Sequence, residues 1–183
     1  MISQGSLCRR TFLKQGGLLG SMGLLSGAMG STLMKSQAAL KPRQMSFGLV
    51  TYLWGKDMAL PELLKACESS GLLGVETRTQ HAHGVEPSLS KVEREEVKKR
   101  FADSPVELVG YGSNAQFHED DSDRLRQQLD LAKSYARLMH DCGGHGVKVK
   151  PNGFVQGIPR EKTIAQIGHA LNELAAFADD WGQ

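Results

Sequence analysis

The chain of 183 residues carries 22 Lys and Arg against 20 Asp and Glu, a formal net charge of +2, and 40% of its residues are hydrophobic. This length is enough for one domain with a real core. Residues 1–39 hold four basic residues and no acidic one, which leaves 18 basic against 20 acidic residues and a net charge of −2 in the remainder. Such a body gives no support for nucleic-acid binding through a broad basic surface.

The first 38 residues predict an export signal. Arg9 and Arg10 precede a Gly-rich, mildly apolar run over residues 16–34, and residues 36–38 (SQA) suit cleavage. This pattern is typical of a twin-arginine signal peptide, so we expect a periplasmic protein with a mature domain over residues 39–183. A membrane anchor is the alternative. Gly and Ser break the run, which falls short of a spanning helix, so no stable membrane insertion is expected after cleavage.

The mature chain alternates strand and helix patterns four times. Pro61 and Pro159 are suited to open helices, Ser90 and Glu93 form a capping-box pair, and Gly143 ends the third helix. The predicted strands cover residues 45–53, 72–77, 105–111 and 147–150. The predicted helices cover residues 60–71 and 90–102, the stretch between an acidic cluster at 119–123 and Gly143, and the stretch after Pro159.

Two further predictions concern buried side chains. The fourth helix is expected to turn Ile164, Leu171 and their helical neighbours inward. Cys67 and Cys142 lie on the apolar faces of predicted helices and are expected to be buried thiols, because free cysteine behaves as a small hydrophobe. A disulfide in an oxidising compartment is the alternative for the two cysteines.

Repeated strand-helix units with short connections predict an α/β fold with parallel strands and right-handed crossovers. Either an open doubly wound sheet or a piece of a closed barrel satisfies that pattern. The residues after the first strand, 51–55 (TYLWG), lack the glycine fingerprint of a dinucleotide-binding fold, which weakens the open-sheet alternative.

The polar loop after the second strand is the main candidate site. Glu76, Arg78, His81 and His83 lie at the C-terminal end of that strand, where such folds place their chemistry. Glu76 is a candidate acid, base or substrate ligand, with a salt bridge to Arg78 as the alternative. The two histidines are candidates for contacting a metal or sugar hydroxyls, although two histidines alone do not make a metal site. A solvated loop is the alternative for them.

Several stretches together resemble the xylose isomerase-like TIM barrels, a group of sugar-phosphate isomerases and epimerases with the endonuclease IV type as a distant branch. The resemblance covers about residues 45–181. The residues that carry it are 47–51 (FGLVT), the helix over 60–71, 74–78 (GVETR) with 81–84 (HAHG), and 108–114 (LVGYGSN) with 117–118 (FH).

The resemblance implies a partial barrel of about four units, since a complete one typically needs about 250 residues. It implies metal-assisted proton transfer on a sugar with a divalent ion such as Mn, Mg, Co or Zn, although most of the family's metal ligands lie on later strands. Glu76 is then the catalytic candidate. Arg78, His81, His83, Asn114 and Lys150 are the substrate-binding candidates, and His118 is the metal-ligand candidate.

Lys150 stands where the repair branch tends to carry a metal-binding histidine. A charged lysine cannot act as a ligand, so this departure counts against a metal nuclease and favours an anionic or polyhydroxylated substrate. Two functions remain open. One is an exported sugar isomerase or epimerase, and the other is a non-catalytic half-barrel that binds sugar or self-associates as a homo-oligomer, because a half-barrel exposes sheet edges and an inner face.

Overall fold

The computed structural model describes residues 45–182. The predicted twin-arginine signal and its cleavage site lie outside these residues. None of the helices in the described part of the chain is long and apolar enough to cross a membrane.

Strands and helices alternate strictly along the described chain. The strands are β1 (Gly48–Val50), β2 (Gly74–Arg78), β3 (Glu107–Gly112) and β4 (Val147–Lys148), and the helices are α1 (Leu60–Ser69), α2 (Lys91–Ala102), α3 (Ser122–Cys142) and α4 (Arg160–Asp179). The strands pair in the order β1-β2-β3-β4, and each pair is parallel. The predicted parallel repeat of four strand-helix units is confirmed, and the sheet is open.

Helix ends follow local side-chain chemistry. Ser90 caps α2 through its hydroxyl, and Glu93 returns a bond to the backbone N–H of Ser90, so the predicted capping box is confirmed. At α3 the carboxylate of Asp121 accepts from two backbone N–H groups. The same helix ends at Gly143, whose φ of 80° is left-handed, as expected for a glycine stop.

The first and fourth strands are much shorter than their apolar runs predict. The first was expected over residues 45–53, but the backbone N–H of Tyr52 donates to the carbonyl of Val50 at 2.7 Å and turns the chain out of the sheet. The fourth strand was expected to run to residue 150, immediately before Pro151, but it ends at Lys148. The residues that follow these two strands are also apolar or continue the apolar and polar alternation. Hydrophobic content alone therefore does not mark where the strands end.

Helices cover one face of the sheet and form two core clusters. The larger cluster lies between the sheet and α1 to α3, with Leu63, Val75 and Leu138 fully buried within it. The smaller one joins α3 to α4 through Leu129, Leu174 and several alanines. Cys67 and Cys142 are buried free thiols, as predicted, and burial raises the pKa of both, that of Cys142 to about 12.

The prediction for α4 is wrong at two positions. Ile164 and Leu171 were expected to face inward, yet they are 58% and 40% exposed. The helix packs on α3 through a different stripe that includes Ala170, Leu174 and Ala178. β4 is an outer strand of the sheet, and the flank of α4 that carries the two residues lies largely in solvent.

The pairing of β2 with β3 contains a β-bulge. Val75 pairs with Leu108, but Glu76 pairs with Gly110, so Val109 is the extra residue. The bulge lets both Leu108 and Tyr111 point into the helix layer although three positions separate them, and both are almost fully buried. On the opposite, inner face, Val109 is 50% exposed.

A glycine pair sets the spacing between β1 and β2. A Cβ added at Gly48 would lie 2.8 Å from the carbonyl oxygen of Gly74, which is backbone and cannot move aside freely. We expect Gly48→Ala to lower the free energy of unfolding by about 1–3 kcal/mol, the usual cost of overpacking. Urea denaturation followed by circular dichroism measures this.

Gly168→Ala is the matched control. A Cβ at Gly168, inside α4, would have no atom within 4 Å. We expect this change to raise the free energy of unfolding by about 0.5–1 kcal/mol, because alanine loses less backbone entropy in a helix than glycine does. Equal effects of the two substitutions would contradict this account of the sheet.

Candidate functional site

β2 carries Glu76 and Arg78 on the inner face of the sheet, two residues apart and therefore on the same side. Their partners across β3 are Gly110 and Gly112. A Cβ at Gly112 would lie 2.9 Å from Cγ of Arg78 and 3.0 Å from Oε1 of Glu76. The glycine therefore leaves the space that these two side chains occupy.

Glu76 on β2 forms an ion pair with a lysine on β4. Its Oε1 lies 2.5 Å from Nζ of Lys148, whose side chain is 53% exposed while that of Glu76 is 20% exposed. Lys148 on β4 pairs with Gly112 on β3, which in turn pairs with Arg78 on β2. A glycine therefore lies between the long side chains of Arg78 and Lys148.

Asn114, just after β3, holds two cations. Its Oδ1 accepts from Nζ of Lys150 at 2.6 Å and from Nη2 of Arg78 at 3.4 Å. Partial desolvation, followed by the positive charges of Arg78 and Lys148, lowers the pKa of Lys150. The ends of β2, β3 and β4 therefore converge on one polar cluster.

The turn after β1 supports Arg78. The guanidinium carbon lies 4.6 Å from the centre of the Tyr52 ring, a cation-π contact, and Tyr52 as a whole is 58% exposed. The fully buried hydroxyl of Thr51 accepts from the backbone N–H of Arg78 at 3.0 Å and lies 3.1 Å from Nδ1 of His81. These contacts fix the strand end and its loop to the first unit.

His83 belongs to the frame of the loop. Its ring is buried, its Nε2 donates to the carbonyl of Arg78 at 2.8 Å, and its Nδ1 accepts from the backbone N–H of Val85 at 3.0 Å. Both nitrogens are thus engaged in the neutral form. Burial is the main cause that lowers the pKa of His83, and burial followed by the charge of Arg78 lowers that of His81.

A buried network holds the far side of the same loop. The carboxylate of Glu86 accepts from the hydroxyl of Thr79 at 3.2 Å and from the backbone N–H of Gln80, whose φ is +65°. The hydroxyl of Tyr135 on α3 donates to that of Thr79 at 2.7 Å, and the Tyr135 ring stacks on Tyr111 with centroids 4.6 Å apart. The loop is therefore built on the core.

His118 follows β3 and lies against Gly153. Its Nδ1 is buried without a hydrogen-bond partner, and Gly153 leaves room for its ring, since a Cβ there would lie 2.8 Å from Nε2. No group of three or more His, Cys, Asp or Glu in residues 45–182 could hold a metal ion. The positive charge of Lys148 on Glu76 also opposes a cation there. These residues therefore do not fit a metal site by themselves.

The family model for xylose isomerase-like TIM barrels matches residues 64–182, well over half of the chain. The chain belongs to this family. Its open sheet of four parallel units is accordingly a partial TIM barrel, as the sequence resemblance implies. A sequence comparison with curated proteins finds no significant match.

Solved structures share this fold at low sequence identity. An IOLI protein with a bound zinc atom has a TM-score of 0.64 and 18% identity over 75% of this chain and 49% of its own. A D-psicose 3-epimerase, solved in the presence of D-fructose, has a TM-score of 0.62 and 16% identity over 75% of this chain and 50% of its own. A 3-keto-D-glucoside 4-epimerase from E. coli has a TM-score of 0.59 and 14% identity over 76% of this chain and 54% of its own. The chain spans about half the length of these structures.

The fold of this family member gathers only some of the predicted residues. Arg78, Asn114 and Lys150 are joined by hydrogen bonds, and Glu76 lies beside Arg78 on the same face. His81 contacts Thr51, His83 is tied to the backbone and His118 lies against Gly153, so the roles proposed for these three histidines stay predictions.

Sequence reasoning missed two residues of the site. Lys148 was not selected, although it lies two positions before Lys150, and two-residue spacing in an extended chain gives a common face. Tyr52 was assigned to the first predicted strand, whereas it lies in the turn after β1 against the guanidinium of Arg78. The alternative considered for Glu76 was a salt bridge with Arg78, but its ion pair is with Lys148.

The lowered pKa of His83 makes stability depend on pH. The folded state binds fewer protons than the unfolded state below the unfolded pKa of about 6.5, so the free energy of unfolding should fall as pH falls below that value. Urea denaturation at pH 7.5 and 5.5 measures this. We expect His83→Gln to be less stable at pH 7.5 by about 1–3 kcal/mol and to lose part of the pH dependence, the rest of which includes His81.

His169→Gln is the control for this experiment, because His169 is exposed on α4. It should keep the stability and the pH dependence of the parent chain. A His83→Gln variant with the full pH dependence of the parent would show that His83 does not titrate as its burial requires.

Proposed function

We propose that the chain supplies the substrate-binding first half of a sugar isomerase or epimerase. The observation that carries this proposal is the convergence of Glu76, Arg78, Asn114 and Lys150 at the C-terminal ends of three parallel strands. TIM-barrel enzymes place their active sites at this end. The solved neighbours include enzymes named as sugar epimerases, which supports a small sugar or sugar derivative as the ligand.

Each side chain has a role that its chemistry allows. The carboxylate of Glu76, which lies on the inner face, acts as the base that removes a proton from the carbon beside a sugar carbonyl. Arg78 and Lys150 donate to oxygens of the bound sugar derivative, and such fixed donors hold it in position against Glu76. Asn114 positions both donors through its Oδ1.

The proposal assigns no step to a metal ion. A divalent ion of the kind expected for the family would need ligands beyond the described residues, because these contain no suitable group. We also propose export through the twin-arginine pathway, supported by Arg9 and Arg10 ahead of the apolar run over residues 16–34.

Glu76→Gln tests the catalytic role. The full chain would be incubated with D-fructose or D-psicose in D₂O, with and without Mn²⁺, and exchange of the carbon-bound proton beside the carbonyl would be followed by NMR. We expect the parent chain to exchange this proton and the variant to do so about 10²–10⁴-fold more slowly, because the amide cannot accept the proton.

Glu62→Gln, an exposed carboxylate change on α1, should leave the exchange rate unaltered. The proposal is wrong for this chain if the folded parent protein exchanges no proton of any ketose under either condition. Equal rates for Glu76→Gln and the parent would remove Glu76 from the catalytic role.

A second candidate function is self-association, which the open sheet favours. β1 and β4 are outer strands, and Val50 and Val109 on the inner face are 42% and 50% exposed. Unpaired strand edges and exposed apolar faces favour association with another sheet. The occupant proposed for this face is a second copy of the chain.

Light scattering on the full chain tests this. We expect a discrete dimer, and Val109→Lys should shift it to monomer because a charge would be buried at the interface. Val92→Lys is the matched control, since Val92 is 78% exposed on α2 and lies away from the inner face. A monomeric parent protein, or a dimer that both variants preserve, would contradict the proposal.

A further inference from the structure

The polar cluster at the strand ends carries more positive charge than the neighbouring carboxylates neutralise. The carboxylate of Glu76 is paired with Lys148. Among residues 45–182, neither Arg78 nor Lys150 has a carboxylate within ion-pair distance. Both cations instead share the neutral Oδ1 of Asn114. Two like charges are thus held together by one amide oxygen.

Holding these charges together costs free energy. The pKa of Lys150 is lowered by desolvation and by the positive charges of Arg78 and Lys148, so the cluster disfavours its own full ionisation. Groups that are destabilised in this way and grouped at a strand end are candidates for binding a ligand of opposite charge. A negative group at this position would relieve the repulsion.

Arg78 also has unused hydrogen-bonding capacity. Its Nε is buried and has no hydrogen-bond partner, while Nη2 makes a contact of 3.4 Å to Asn114, which is long. The Tyr52 ring covers one flat side of the guanidinium. A guanidinium suits the paired oxygens of a carboxylate or phosphate, and no carboxylate among residues 45–182 pairs with that of Arg78.

We propose that Arg78, Lys150 and Asn114 form a subsite for an anionic group, a phosphate or a carboxylate, carried by the sugar. This inference rests on the proposed function, and it adds that the preferred substrate is charged instead of neutral. A neutral sugar needs donors and acceptors but no pair of uncompensated cations. The subsite therefore determines specificity, whereas Glu76 on the same face is the group assigned to proton transfer.

The first experiment uses inorganic phosphate as the probe. The full chain would be titrated with phosphate by calorimetry at constant ionic strength. We expect saturable binding that weakens about tenfold or more in Lys150→Met and in Arg78→Gln, since each removes a charge-assisted hydrogen bond. Lys65→Met, at an exposed position of α1, should bind phosphate like the parent.

Lys150→Arg separates charge from structure. It keeps a positive charge at the position and should retain most of the phosphate affinity, while circular dichroism and thermal melting check that every variant is folded. Phosphate binding that is absent in the parent, or that is the same in Lys150→Met, Arg78→Gln and the parent, would overturn the subsite.

The second experiment separates this inference from the proposed function. Binding of D-fructose, D-fructose 6-phosphate and D-gluconate would be compared, together with turnover of the ketoses. Tighter binding of the phosphate ester or of the sugar acid than of D-fructose supports the subsite and identifies its anion. Equal binding of all three with measurable turnover would overturn the subsite and leave the proposed function intact. Anion binding without turnover of any ketose would support the subsite and overturn the catalytic function.

Discussion

The parallel pairing of β2 with β3, with the bulge at Val109, is the interaction on which the site depends. In an unbroken ladder Glu76 would lie opposite Val109, and Arg78 opposite Tyr111. The bulge places Gly110 and Gly112 there instead, and the absence of a Cβ at Gly112 leaves room for both functional side chains. Tyr111 is turned to the other face, where it stacks on Tyr135.

That stacked pair ties the loop after β2 to the helix layer. The hydroxyl of Tyr111 donates to the carbonyl of Val85 at 2.8 Å, and Tyr135 reaches Thr79. His83 uses both ring nitrogens on the backbone of the loop. Most polar groups of the loop therefore form hydrogen bonds that hold the loop in its conformation. The groups that remain to bind a substrate lie at the strand ends. Sites built on such rigid elements keep their geometry better than sites on loops.

The inner face combines charge with exposed apolar surface. Val50 and Val109 lie on the same side of the sheet as Glu76 and Arg78, so the face can meet both a polyhydroxylated ligand and another apolar layer. The pairing of Glu76 with Lys148 neutralises one charge of each sign and leaves Arg78 and Lys150 as the net positive groups. This asymmetry connects the catalytic proposal with the anionic subsite, because each uses a different part of one face.

The sequence alone determined the order of elements and the helix ends, because these depend on residues within about four positions of each other. The capping box of Ser90 and Glu93 and the stop at Gly143 are such local features. It also placed Glu76, Arg78, Asn114 and Lys150 at strand ends. Only the tertiary structure decided the bulge at Val109, the ion pair of Glu76 with Lys148 and the exposure of Ile164 and Leu171. These depend on register and packing between segments far apart in the chain, for which local periodicity carries no information.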